Sequence, residues 1–181
     1  MKQLIYIIFG FCAISNYGQN DQNQGIVNTT FNLYQVAMLD LEPDNSSLTL
    51  KIAAPNEAGE KAAVVMGTNT KWVNFSSAVT VGNSRSISIK IEGGQVHPGI
   101  YLKLITSNYM GIGKGMLGSP AGVMTLSTLP QTIISNIRGA FTGNGINNGY
   151  LLTYYLEIYD YKLLDFNQSA TLSVTLTLTD L

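Results

Sequence analysis

The amino-acid sequence predicts an all-β protein, built as an antiparallel two-sheet β-sandwich. Apolar residues alternate with polar residues in several separate segments, as in strands with one buried face. Seven or eight such segments recur at intervals of about 8 to 20 residues, a spacing typical of sandwiches. No window carries an apolar stripe of helical period over three turns, which disfavours helices. An up-and-down barrel is the alternative.

The first 19 residues have the layout of a secretory signal peptide. Lys2 gives a positive start, residues 4–14 form an apolar run, and the small residue Gly18 follows. The run is too short to span a bilayer, so we expect no transmembrane segment in the mature chain. We therefore predict export to the periplasm, the cell surface or the medium. Residues 20–25 are predicted to be a flexible polar leader, and residues 26–181 a single domain.

Composition argues against several classes of partner and cofactor. The chain has 10 Lys and Arg against 11 Asp and Glu, a net charge of −1, which gives no field to attract nucleic acid. Cys12 is the only cysteine and lies in the predicted signal peptide, so the mature chain would have no disulfide. With His97 as the only histidine, the usual zinc ligand sets are missing. We predict no cofactor and no metal.

The predicted strands follow one another along the whole domain. They are residues 30–41, 48–52, 71–77, 87–91, 100–106, 131–137, 150–160 and 172–178. The isoleucines of 87–91 give the cleanest alternation, and 100–106 is expected to be the hairpin partner of that strand. Residues 143–149 are predicted to be a loop with positive φ angles, which Gly and Asn tolerate. Trp72 is expected in the core.

A glycine motif is the one feature that suggests nucleotide chemistry. Gly113, Gly115 and Gly118 spell G-x-G-x-x-G, with Lys114 inside. In a dinucleotide-binding fold this motif opens a helix, whose N-terminus holds the pyrophosphate. Here "SPAGVMTLS" follows, and its proline and glycine oppose a helix. We therefore predict a mobile inter-strand loop over residues 111–122 that binds no nucleotide.

The remaining catalytic and metal patterns are weak. His97 precedes a proline in a predicted turn, where an exposed imidazole is expected rather than a buried Ser–His–acid site. Glu157 and Asp160 would act as glycosidase acids only if the fold paired them. A solvated strand end, with a weak calcium site as the alternative, is predicted for three alternating carboxylates. These are Asp40, Glu42 and Asp44. We predict that the protein is not an enzyme.

Tyrosines in "YLLTYYLEIYDY" mark the best candidate for a ligand or partner contact. Tyr154 alternates with leucine and isoleucine and is expected to face the core. Tyr155, Tyr159 and Tyr161 then lie on the opposite face together with Glu157. An exposed aromatic stripe on a sheet can stack sugars or anchor a protein partner. Cross-strand packing is the alternative for these side chains.

Two segments resemble a known family. "SRSISIKIEGGQVHPGIYLKLITS" and the closing "ATLSVTLTLTDL" are similar to bacterial pilin-like subunits of the chaperone–usher class, in the spore-coat-U-like branch. The resemblance implies an immunoglobulin-like fold that is incomplete, a periplasmic chaperone, and assembly by donating a strand to the next subunit. The closing strand is expected either to complete its own sandwich or to form an edge that pairs with a neighbour.

The sequence thus predicts an exported, non-enzymatic structural or adhesive surface subunit of pilin-like type. The expected partners are other copies of the chain, other surface subunits and a chaperone. A secreted glycan-binding module that uses Tyr155, Tyr159 and Tyr161 is the alternative function.

Overall fold

A computed structural model of the protein describes residues 27–65, 69–165 and 169–181. The predicted signal peptide and leader lie outside these residues. The chain divides into two units, Met1–Leu33 and Tyr34–Leu181. In the first unit, the described residues 27–33 contain no strand, and their side chains are exposed.

The second unit is nearly all-β, which confirms the predicted class. No α-helix occurs in the part of the chain that the structure describes, and the single 3-10 helix is Tyr161–Leu163. The strands are β1 (Val36–Glu42), β2 (Ile52–Ala53), β3 (Ala63–Val64), β4 (Thr70–Ala78), β5 (Arg85–Gly93), β6 (Ile100–Thr106), β7 (Lys114–Gly115), β8 (Ser119–Pro120), β9 (Val123–Thr125), β10 (Gln131–Ile137), β11 (Ala140–Phe141), β12 (Tyr150–Ile158) and β13 (Ser173–Asp180).

The strands form antiparallel sheets. A seven-stranded sheet has the order β7-β11-β4-β12-β6-β9, and β1 also pairs with β4. A four-stranded sheet has the order β13-β5-β10-β8, and β2 pairs with β3. The strands that the structure describes therefore form separate open sheets, and they do not close into the up-and-down barrel that was the alternative prediction.

Side chains from both larger sheets meet in one hydrophobic cluster. The seven-stranded sheet contributes residues such as Val73, Leu104 and Tyr150, and the four-stranded sheet contributes Ile89 and Ile133, all fully buried. Most of them lie at alternate positions of their strands, because successive side chains of a strand point to opposite faces. In β10 a register shift lets the consecutive Ile133 and Ile134 both be buried. Burying each such side chain is worth about 1.5–3 kcal/mol, so this cluster is the main source of stability.

Two strand predictions are wrong over part of their length. The first strand begins at Val36 and not at residue 30. Within the predicted strand 48–52, only Ile52 belongs to a ladder, that of β2. Leu48 and Leu50 nevertheless pack against the core and are partly buried. Their alternation with polar residues therefore reflects burial of one face, although residues 48–50 have no partner strand in the described part of the chain.

The predicted hairpin between 87–91 and 100–106 is wrong. Both segments are strands, but β5 pairs with β10 and β13, whereas β6 pairs with β12 and β9. Residues 94–99 therefore lead from the four-stranded sheet to the seven-stranded one. A period-two pattern shows which side chains share a face of a strand but not which strands are neighbours in the sheet, and this explains the error.

Trp72 is buried, as expected, but outside the shared cluster. On β4 the cluster takes Val73 and Phe75, so Trp72 projects from the opposite face of the sheet. Its partners in register there are Glu42 and Leu151. The seven-stranded sheet thus has a second face that is partly covered, and this outer face carries most of the candidate site residues.

Candidate functional site

The glycine motif packs one segment of backbone tightly against another. The inter-strand loop predicted for 111–122 contains strands β7 and β8, so the loop prediction is wrong at these residues. Gly115 and Gly118 have positive φ angles, and a Cβ added at either one would overlap a backbone carbonyl oxygen, of Gly139 and Ser135 respectively. The motif leads into β8 and β9 and does not open a helix. The glycines therefore serve close packing.

The candidate catalytic residues have different surroundings. His97 is half-buried, contrary to the expected exposure, and its Nε2 atom has no hydrogen-bond partner among the described residues. Glu157 Oε2 lies 2.9 Å from Lys103 Nζ, and this hydrogen bond raises the pKa of the Lys103 amine. Asp160 instead caps the 3-10 helix, accepting from the backbone N–H of Lys162 at 3.0 Å. Glu157 and Asp160 thus have different hydrogen-bond partners.

The three alternating carboxylates have different surroundings. Asp44 accepts a hydrogen bond of 2.8 Å from the buried amine of Lys71, which holds the pKa of the Asp44 carboxyl well below its usual range. Asp40 and Glu42 project from the outer face of β1, in register with Asn74 and Trp72. Residues 27–65, 69–165 and 169–181 contain no group of three or more residues suited to a metal ion.

The predicted tyrosine contact divides into a stacked pair and a groove. Tyr159 stacks on Tyr101, with ring centroids 4.1 Å apart and planes at 19°. Tyr155 is in register with Lys103 and is half-buried. The Tyr161 hydroxyl accepts a hydrogen bond of 2.7 Å from the Ala62 backbone N–H. Sequence reasoning missed Tyr101, because β6 and β12 are far apart in the chain and only their pairing brings the rings together.

We call the second of these features the tyrosine groove. It has a volume of about 580 Å³ and lies between β3 and β12. Its walls are Lys61, Ala62, Ala63, Val64, Tyr155, Leu156, Glu157, Ile158 and Tyr161. Tyr159 is not among them, so only two of the three predicted tyrosines share this space. The groove combines aromatic rings with a carboxylate and an amine, the mixture of groups found in small-ligand sites.

The closing strand is an open edge of the four-stranded sheet. β13 pairs with β5 along its length and has no second partner strand in the described parts of the chain. Its inward side chains Val174, Leu176 and Leu178 are only partly buried, unlike the core of β5. β13 thus belongs to its own four-stranded sheet and leaves one row of backbone groups open among the described residues, while pairing of that row with a neighbouring chain stays a prediction.

A buried arginine ties this edge to the edge of the other sheet. Arg85 is 3% exposed, and its Nε donates to Asp180 of β13 at 2.5 Å. Its Nη1 donates to the Val36 carbonyl oxygen of β1 and to Ser77 Oγ, the latter at 3.3 Å. One end of each edge strand is therefore held by the same side chain.

Comparison of the chain with family models, with curated proteins and with solved structures found no match. Within the residues that the structure describes, no helix is both long and apolar enough to cross a membrane.

Proposed function

We propose that the chain is an exported, non-enzymatic structural or adhesive subunit of the cell surface, with the immunoglobulin-like sandwich architecture of pilin-like proteins. In this proposal it assembles by accepting a β-strand along the open edge of β13. The observation that carries the proposal is this edge, an eight-residue strand paired on one side only among the described residues.

The side chains of β13 leave the edge unprotected. Proteins commonly block an edge strand with lysine, proline or a bulge in mid-strand. Residues 173–179 contain neither lysine nor proline, and the only register irregularity lies between Ser173 and Val174, at the start of the strand. The threonines of β13 face solvent, while its apolar side chains remain partly exposed at the margin of the core. An added strand would pair with the free backbone groups and cover that apolar margin.

The chain also contains a segment suited to be the added strand. Residues 27–35 precede β1 and are exposed. Phe31 and Leu33 are 82% and 96% exposed, and their spacing puts both on one face of an extended strand. In a second copy, this segment would supply the apolar side chains that the margin beside β13 lacks. A periplasmic chaperone would cover the same edge before assembly.

The test places a charge beside the edge and, as a control, the same charge away from it. Thr177, Ser88 and Thr132 lie in one cross-strand row of the four-stranded sheet, with Thr177 on the edge strand and Thr132 on the inner strand β10. Both threonines are exposed, so Thr177→Lys and Thr132→Lys should fold equally well.

Size-exclusion chromatography with light scattering then measures assembly of the exported protein. We expect wild type and Thr132→Lys to form oligomers and Thr177→Lys to lose at least about tenfold in the assembled fraction. Oligomers of Thr177→Lys equal to those of wild type would show that the edge is not used. A wild-type protein that stays monomeric at all concentrations would contradict self-assembly.

Glycan binding is the second candidate function, and the tyrosine groove favours it. The groove offers Tyr155 and Tyr161 for stacking and Glu157 and Lys61 for hydrogen bonds to hydroxyl groups. Replacement of Tyr155, Tyr159 and Tyr161 together by alanine should abolish binding on a glycan array while circular dichroism stays unchanged. Unchanged array binding by the triple variant would exclude this function for the tyrosines.

A further inference from the structure

A second groove crosses the outer face of the seven-stranded sheet, away from the tyrosines. We call it the β1–β11 groove, and its volume is about 430 Å³. Its walls are Met38, Leu39 and Asp40 of β1, Asn74, Phe75 and Ser76 of β4, Phe141 of β11, and Gly143 and Asn144. No sequence motif marks it, because its walls come from three distant segments of the chain.

The register of the strands explains the shape of the groove. Met38, Ser76 and Phe141 lie in one cross-strand row, with the small serine between the two large side chains. Neighbouring strands are about 4.8 Å apart, so the two apolar walls stand roughly 10 Å from each other. Phe141 is 48% exposed, and its ring is accessible beside the groove. A flat ring can therefore lie against it.

Polar groups with unused hydrogen-bonding capacity complete the groove. Asp40 Oδ1 accepts from the Leu41 backbone N–H at 2.8 Å, and Oδ2 has no hydrogen-bond partner among the described residues. Asp40 has no ion-pair partner within the described residues. The Ser76 hydroxyl and the Asn144 side-chain amide make no hydrogen bond to any described residue. The set contains one acceptor and two groups that both donate and accept.

We propose that the β1–β11 groove binds a neutral saccharide ring, with one face of the sugar on Phe141 and its hydroxyls on Asp40, Ser76 and Asn144. Each sugar hydroxyl both donates and accepts, which matches this mixture of groups. An anion would meet the Asp40 carboxylate, and a wholly apolar ligand would bury that carboxylate unpaired at high cost. A simple cation would leave the amide and the hydroxyl unused. The site is independent of strand addition at β13, since its side chains project from the face of the other sheet.

The experiment is a titration of the exported protein with methyl glycosides of common hexoses, followed by backbone amide chemical shifts in NMR. We expect shifts at Ser76, Phe141 and Asn144 for at least one glycoside. Asp40→Asn keeps the shape of the side chain but removes its charge, and Phe141→Ala removes the aromatic ring on which the sugar would lie. Each should weaken binding at least tenfold. Val123→Ala changes an exposed residue of β9 in the same sheet that lines neither groove, and it is the matched control, so it should leave the affinity unchanged.

Two results would overturn this proposal. Shifts confined to residues 61–64 and 155–161 would place the sugar in the tyrosine groove instead. The absence of shifts with every glycoside would remove saccharide binding here while leaving strand assembly, which is measured separately, untouched. Folding of each variant is checked by the dispersion of its own amide spectrum, so a loss of binding is distinguished from a loss of structure.

Discussion

Two basic side chains, Lys71 and Arg85, are almost fully buried, at 6% and 3% exposure. Each donates hydrogen bonds to a carboxylate and to a backbone carbonyl group, as a polar group in the interior requires. Sequence patterns gave no sign of this, because both residues occur in strands where a basic residue ordinarily marks the solvent face. Their partners, Asp44 and Asp180, are distant in sequence, and only the sheet arrangement brings them close.

The Lys71–Asp44 pair should make stability depend on acid pH. The folded state holds the pKa of Asp44 below its usual range, so the pair stabilises the fold above about pH 4, the ordinary pKa of an aspartate. That contribution is lost as the pH falls toward the folded-state pKa. Urea unfolding should therefore show Asp44→Asn less stable than wild type at pH 7, with the gap shrinking below pH 4.

The control for that experiment is Asp40→Asn, which removes a carboxylate that has no ion-pair partner among the described residues. It should leave the free energy of unfolding close to that of wild type at pH 7. A gap between Asp44→Asn and wild type that stayed constant from pH 7 to pH 2 would contradict the proposed role of Asp44.

Tyr150 offers a second test at a single residue. Its hydroxyl donates toward the Leu117 and Gly118 carbonyl oxygens, at 3.0 and 3.1 Å, and burial raises its pKa to about 12. Tyr150→Phe should lower the free energy of unfolding by about 1 kcal/mol, the net value of a buried hydrogen bond. Tyr155→Phe has no such bond among the described residues and should cost less. Equal effects in urea unfolding would contradict this assignment.

At the scale of strands, the sequence predicted where most strands lie in the chain but not which strands pair with each other. Residues 131–137 were predicted as a strand, and β10 has the same bounds. Residues 143–149 have the predicted positive φ angles at glycine and asparagine. By contrast, the predicted hairpin partner of β5 was wrong, because side-chain alternation is satisfied by burial on any neighbour. The glycine motif likewise owes its spacing to backbone contacts that no local pattern reveals.

The glycine motif gives a prediction at this scale. Gly115 and Gly122 both have positive φ, but only Gly115 has a carbonyl group where a Cβ would lie, whereas the space beside Gly122 is open. Gly122→Ala should therefore cost about 1–2 kcal/mol from backbone strain alone. Gly115→Ala should cost clearly more, because the β7–β11 pairing must also move. Similar melting temperatures for the two variants would show that the close approach is unimportant.

At the scale of the whole molecule, both sheets meet at Arg85. The all-β class followed from the sequence, because alternation and the lack of a helical stripe are properties of each segment alone. The sequence did not predict the candidate sites, apart from the residues Tyr155 and Tyr161. The β1–β11 groove and the Tyr101–Tyr159 stack each join segments that are distant in the chain. β13 pairs with β5 and leaves its other edge open among the described residues, while pairing of that edge with a neighbouring chain stays a prediction.

Arg85→Met tests the link between the sheets. Loss of the guanidinium leaves the Val36 carbonyl and Asp180 without their donor, and loss of hydrogen bonds from a charged group should lower the free energy of unfolding by about 1.5–3 kcal/mol. Hydrogen exchange should become faster in β1 and β13 together, because both strands lose the same contact. Faster exchange in only one of these strands would contradict a shared tie.

The proposed assembly is best tested on the surface of the cell that makes the protein. Material sheared from that surface is separated by gel electrophoresis with and without boiling and is detected by immunoblot. Polymers joined by strand pairing dissociate very slowly, so unboiled samples should show a ladder that collapses on boiling to a single band near the mass of one subunit. A single monomer band in both lanes would contradict assembly through the β13 edge.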